Sequence, residues 1–204
     1  MSEAQTRQLV ATFHIRRSGS TVFVCVEARF FHLHDHGIAL ETFLTELSRE
    51  APCHFVVLRR KNYLRKIVSS LAARQRGQWF ARPGVPLAPV SISLDPDRVC
   101  IDGDAQPLLT YLQDWDAQFD QLDVALRGAR VLKLTYEDDI ERDPLVAYRK
   151  ACAHLGLPEG SPEVRYTRTT GQPLAELVTT LPAVRRALRD TPCAWMAESE
   201  LAHD

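Results

Sequence analysis

Three short apolar runs, residues 9–15, 54–58 and 131–135, constrain this chain most, because each is strand-length and too brief for a buried helix. Two of them lead into helical patterns. After 54–58, the positions Leu64, Ile67, Val68, Leu71, Ala72 and Gln75 recur at helical spacing, and Asn62 stands where a cap would start the helix. After 131–135, the pair Asp143-Pro144 opens a helix that runs to Leu155, stops at Gly156 and has Pro158 beyond it. Strands alternating with helices at this length form a parallel sheet with crossover helices, and 204 residues give room for one such α/β domain, 1–204.

The remaining segments fit this frame less sharply. Residues 22–31 are apolar and ambiguous: their β-branched members favour strand, and their position after a Gly-Ser turn favours a buried helix. Residues 41–50 read as a short helix with Phe43, Leu44 and Leu47 on one side. Five of the 12 prolines fall in 80–107, where 99–101 offers at most a short edge strand. Pro107 then opens a helix carrying Leu108, Leu112, Trp115, Phe119, Leu122 and Leu126. The tail holds a stripe of Leu174, Leu177, Val178 and Leu181, followed by a basic helix, 182–189.

Composition matters here through the distribution of charge. Apolar residues at 45% and charged residues at 25% exclude a disordered chain, a collagen repeat and a coiled coil. The net charge of −1 argues against a general nucleic-acid binder. Between Glu50 and Asp95, however, there is no acid, and there are eight bases: Arg59, Arg60, Lys61, Arg65, Lys66, Arg74, Arg76 and Arg82. From Asp95 to Asp143 the balance reverses, with 13 acids against five bases. One stretch is suited to an anion and the next is not. Residues 1–8 are polar and carry no signal-peptide core, and no apolar run approaches the roughly 20 residues that span a bilayer. The five cysteines are scattered and odd in number, which suits free thiols in the cytoplasm.

Two segments could hold an anion. In the first, Arg16, Arg17, Ser18, Gly19, Ser20 and Thr21 follow a strand; such a turn aims backbone N–H groups and hydroxyls at a phosphate. It lacks the spacing of a Walker A loop. The alternative is a polar connector between buried elements. In the second, Arg59 and Arg60 end a strand, and Ser69 and Ser70 sit two turns into the next helix. Arg60 and Ser69 could take a phosphate. Arg65, Lys66, Arg74 and Arg76 read instead as the solvated face of that helix.

In this order the two segments resemble the PAPS-dependent sulfotransferases, in particular the bacterial carbohydrate branch that includes trehalose and Nod-factor sulfotransferases. A third stretch, Leu132-Lys133-Leu134-Thr135-Tyr136-Glu137-Asp138-Asp139-Ile140 with Asp143-Pro144 and Leu155-Gly156-Leu157-Pro158, is similar to that family's late YEDL…DP…LGLP signature. The tail 174–196 matches more loosely, and together these cover somewhat over half of the chain. The resemblance implies a P-loop-like three-layer α/β/α fold with a central parallel sheet. It also implies PAPS as co-substrate and PAP as product. By resemblance, Arg17, Ser18, Gly19, Ser20 and Thr21 hold the 5′-phosphosulfate, and Arg60 with Ser69 the 3′-phosphate. Arg165 and Arg168 would add charge there, or else are surface arginines.

Sulfuryl transfer is an in-line displacement in which positioning and charge stabilisation dominate. Arg17 would stabilise the leaving 5′-phosphate electrostatically, where the wider family often uses lysine. The general base corresponds to Glu41, with His36 as the alternative. The interval from the first loop to the Arg60 strand is shorter than in larger members. His32, His34 and His36 share a face if extended and invite a metal reading, but a solvated histidine loop explains them and the chemistry needs no metal. The acidic run from Tyr136 to Asp143 reads as structural, with Lys133 and Tyr136 near the cleft. The function expected is sulfuryl transfer from PAPS to a hydroxyl of a carbohydrate, glycolipid or natural product, with 80–107 as acceptor lid. The alternatives are a catalytically inactive PAP- or nucleotide-binding protein of the same fold, and a P-loop kinase-type phosphotransferase.

Overall fold

Strand β3 (Cys53–Arg59) buries five consecutive side chains, His54 through Leu58. A strand of a parallel sheet that is covered on both faces has no solvated side, so it reads as a continuous apolar run rather than an alternating one. Its neighbours are β1 (Leu9–His14) and β6 (Arg130–Thr135), both parallel to it. A short strand, β2 (Arg29–Phe30), extends the sheet beyond β1, also in parallel, giving the order β2-β1-β3-β6. The computed structural model describes residues 9–14, 29–30, 42, 44–46, 53–101, 104–164 and 168–198. The chain divides into two units, Met1–Lys61 with Gln118–Glu163 and Asn62–Ala117 with Val164–Asp204.

The first unit contains the whole parallel sheet, so the protein is of mixed α/β type, as the alternating pattern implies. Helix α3 (Tyr136–Asp139) follows β6 directly, and α4 (Pro144–Leu155) follows α3. Asp143 caps α4 by accepting from the Leu145 N–H at 2.9 Å, and Gly156 ends it in the left-handed conformation at φ 68°. Both ends lie where the Asp-Pro and Gly signals put them. The core joins Val56 and Leu58 of β3 to Leu134 of β6 and to Ile140, Ala147 and Leu155, with Leu132 and Tyr136 packed against it.

At the opposite end of β3 from Arg60, a pair of histidines is packed into the same unit. The rings of His54 and His154 meet edge to face, their centroids 5.3 Å apart. Nδ1 of His54 and Nε2 of His154 are buried with no hydrogen-bond partner among the described residues. Arg130, whose Nη2 donates to the His154 carbonyl at 2.7 Å, adds positive charge beside them. Burial first, then repulsion from Arg130, lowers the pKa of His54 below 6.5; burial, His54 and Arg130 do the same to His154. A lowered histidine binds fewer protons folded than unfolded, so stability is full above the unfolded value and falls as pH drops through that window. We expect the unfolding free energy to decrease from about pH 7 to about pH 5, by at most ~1.4 kcal/mol per pH unit for each histidine. Urea titrations of the parent chain and of the His54→Gln/His154→Gln double variant check this. An unchanged slope in the double variant would place its origin elsewhere.

In the second unit, helix α1 (Tyr63–Arg76) starts at Asn62, whose Oδ1 accepts from the Arg65 N–H at 2.9 Å. The Asn62 amide also donates to the Met196 carbonyl at 3.0 Å, tying the helix start to the C-terminal segment. The helix stops at Gly77, left-handed at φ 65°. Seven consecutive residues of α1, Tyr63 through Ser69, are buried. This corrects the solvated-face reading for Arg65 and Lys66, which are only 5% and 3% exposed. The cause is that other segments cover the helix beyond its apolar stripe. Arg65 Nη1 donates to the Gln172 carbonyl at 3.2 Å, and the Lys66 ammonium lies 4.0 Å from the centre of the Trp115 ring. Arg76 is half-buried, donating to the Ala88 carbonyl at 2.7 Å and to the Thr169 carbonyl at 2.6 Å. Only Arg74 of the four stands exposed.

Helix α2 (Leu108–Ala125) follows Pro107, as expected, and begins in this unit. The proline-rich segment before it is fastened in several places. Arg76 holds Ala88, the Ile92 N–H donates to the Leu177 carbonyl at 2.7 Å, and Thr180 Oγ1 both accepts from Leu94 N–H and donates to Leu94 O. Beyond it, β4 (Val99–Ile101) pairs antiparallel with β5 (Asp104–Gln106) in a separate two-stranded sheet. The tail forms α5 (Leu174–Leu177), α6 (Leu181–Leu188) and α7 (Trp195–Glu198).

Candidate functional site

In an open parallel sheet, ligands bind beyond the carboxyl ends of the strands. The register that pairs Arg59 with Thr135 brings those ends of β3 and β6 side by side, so Arg60 and Lys61 emerge next to Tyr136 and Glu137. Arg60 is 7% exposed, and its guanidinium carbon lies 4.5 Å from the centre of the Tyr136 ring. Its Nε is buried and makes no hydrogen bond among the described residues; Glu137 Oε1 stands 3.9 Å from it, an ion-pair distance too long for a hydrogen bond. A buried donor left without an acceptor is costly, and it is the kind of group that an anionic ligand would satisfy.

The acidic run holds this end of the sheet together. Glu137 Oε2 accepts from the Lys61 N–H at 2.8 Å. Asp138 accepts from Lys61 Nζ at 2.5 Å and from the Thr135 hydroxyl at 2.8 Å, and the Thr135 hydroxyl in turn caps α3 by accepting from the Asp138 N–H. The hydrogen bond from Lys61, then that from Thr135, lowers the pKa of the Asp138 carboxyl. Asp139, buried, accepts from the Thr135 N–H at 2.6 Å and from Lys150 Nζ at 2.5 Å. The structural reading of these acids fits their contacts. Lys133, expected near the cleft, is exposed and paired with Asp123 at 2.8 Å. Arg59 lies with its guanidinium carbon 5.2 Å from the Phe119 ring centre.

In the second unit, Ser69 is 7% exposed, with its hydroxyl 3.3 Å from that of Thr169. Arg168, half-buried, directly precedes Thr169. Arg17, Ser18, Gly19, Ser20 and Thr21, together with Glu41, His36, His32, His34 and Arg165, lie outside the described residues. Reading the chain alone missed the ring of Tyr136 beneath Arg60 and the Glu137 contact to the Lys61 backbone. The available signal was the Thr135-Tyr136-Glu137 step directly after a strand that neighbours β3. Comparison with protein-family models, curated proteins and solved structures finds no match to this chain.

Proposed function

We propose that the chain is a cytoplasmic PAPS-dependent sulfotransferase of P-loop-like three-layer α/β/α architecture, moving the sulfuryl group to a hydroxyl of a carbohydrate, glycolipid or natural-product acceptor. One observation supports the reading above the others. Arg60 stands at the carboxyl end of a central parallel strand, buried and stacked on Tyr136, with a donor that has no acceptor among the described residues. Arginine offers a rigid fork of donors matched to a phosphate, and burial makes each charge-assisted bond stronger than at the surface. The motif resemblance supplies the identity of that phosphate, the 3′-phosphate of PAPS, and gives the same assignment to Ser69 and a supporting one to Arg168.

PAPS, when bound, supplies the activated sulfuryl group. The remaining work belongs to the protein. Arg17, with the hydroxyls of Ser18, Ser20 and Thr21 and the backbone at Gly19, holds the 5′-phosphosulfate and stabilises charge on the leaving side. The acceptor oxygen forms its bond to sulfur as the bond to the 5′-phosphate oxygen breaks, and the acceptor proton passes to a base, Glu41 or His36. In this reading the segment 80–107 is the acceptor lid. Release of PAP from PAPS in the presence of sugar acceptors tests it, with Glu41→Ala and His36→Ala compared side by side. A loss of roughly 100-fold or more in kcat is expected for the variant lacking the base. Full activity in Glu41→Ala would assign the base to His36, and full activity in both would remove this mechanism.

A further inference from the structure

The loop that leaves α1 runs into the segment 80–107, and its outward apolar side chains are more than contact with a hydroxyl acceptor requires. Trp79, Phe80 and Val85 are 44%, 51% and 51% exposed, three large apolar side chains within seven positions. The loop that presents them is built rather than frayed. It starts at the Gly77 cap, the Gln78 amide donates to the Phe80 carbonyl at 3.0 Å, and Ala81 is buried. A turn at its tip is closed by the Val85 N–H donating to the Arg82 carbonyl at 3.2 Å, with Gly84 left-handed at φ 74°. Arg76, holding Ala88, fastens its far side.

Charge completes the pattern. Arg74 and Arg82 are exposed on either side of the aromatic pair, and no acid occurs anywhere between Glu50 and Asp95. Exposed large apolar groups and exposed bases in a stretch of sequence that contains no acid match an anionic lipid surface. Tryptophan and phenylalanine settle at the headgroup level, and arginines meet the lipid phosphates. A single-stranded nucleic acid fits less well, because it needs a basic groove that tracks a backbone, whereas this tip adds Val85 and two prolines, Pro83 and Pro86, which offer no flat stacking face.

We propose that residues 78–86 form a membrane-interface loop that seats this unit on an anionic lipid surface. The proposal does not depend on the sulfotransferase reading. Its test is sedimentation of the full chain with phosphatidylcholine vesicles and with mixed phosphatidylcholine–phosphatidylglycerol vesicles, with tryptophan emission followed alongside. The parent chain pellets with the mixed vesicles and its emission shifts to the blue. Trp79→Ala/Phe80→Ala abolishes both, Arg82→Gln weakens binding about fivefold, and Trp195→Phe, outside the loop, leaves binding unchanged. Circular dichroism confirms that each variant is folded. The proposal is overturned if the parent chain ignores both vesicles, if the double variant pellets like the parent, or if the loop variants lose binding to a single-stranded oligonucleotide rather than to vesicles.

Discussion

The Arg60→Ala variant is expected to bind PAP at least ~100-fold more weakly than the parent chain. Two charge-assisted hydrogen bonds from one buried guanidinium supply that difference, and a substituted alanine leaves the ligand phosphate desolvated with nothing in their place. Arg60→Lys should recover only part of the affinity, because an ammonium keeps the charge but loses the planar fork and its stacking on the Tyr136 ring. Arg74→Ala is the control. It removes the same formal charge from the same acid-free stretch, but at an exposed position, and should change the affinity by no more than about threefold. Isothermal titration with PAP separates the two. Equal losses at Arg60 and Arg74 would mean that diffuse positive charge, not a built contact, draws the anion.

The largest stability effect is expected at Asp139. Asp139→Ala leaves the Thr135 N–H without its acceptor and the half-exposed Lys150 without its partner, and the two losses together cost about 3 kcal/mol. Asp139→Asn keeps an acceptor for Thr135 and should cost about 1 kcal/mol. Lys150→Met leaves the buried Asp139 carboxylate without its cation, with only the Thr135 N–H beside it, and should cost about 2 kcal/mol, between the other two. Urea unfolding at neutral pH resolves this order. An Asp139→Ala chain that keeps its stability and loses only turnover would move the acidic run from scaffold to chemistry.

Local signals were legible in the sequence wherever one residue decides the local backbone. Asn62 before α1, Asp143 and Pro144 at the start of α4, and Gly156 at its end act within a few residues, through their own side chains or their own φ. Strand β3 was legible because a central parallel strand must be apolar on both faces. The rest depends on pairings that no local pattern encodes. Lys61 and Glu137 meet across 76 residues of chain, so the support that the acidic run gives to the Arg60 corner appears only once β3 and β6 are in register. Arg65 and Lys66 were misread for a related reason. Helical periodicity marks the stripe that must be buried, but it does not show how far neighbouring segments such as those of Gln172 and Trp115 reach around it. Strand β5 went unread because Asp104-Ala105-Gln106 carries no apolar alternation and is a strand only through its pairing with β4.

The most direct test of the sulfotransferase reading is a thermal unfolding series with PAP, with ATP and with no nucleotide. A ligand that binds only the folded chain adds about 2.7 kcal/mol at 100 times its dissociation constant, so PAP should raise the midpoint by several degrees and ATP by far less. Stabilisation by ATP without stabilisation by PAP would contradict it.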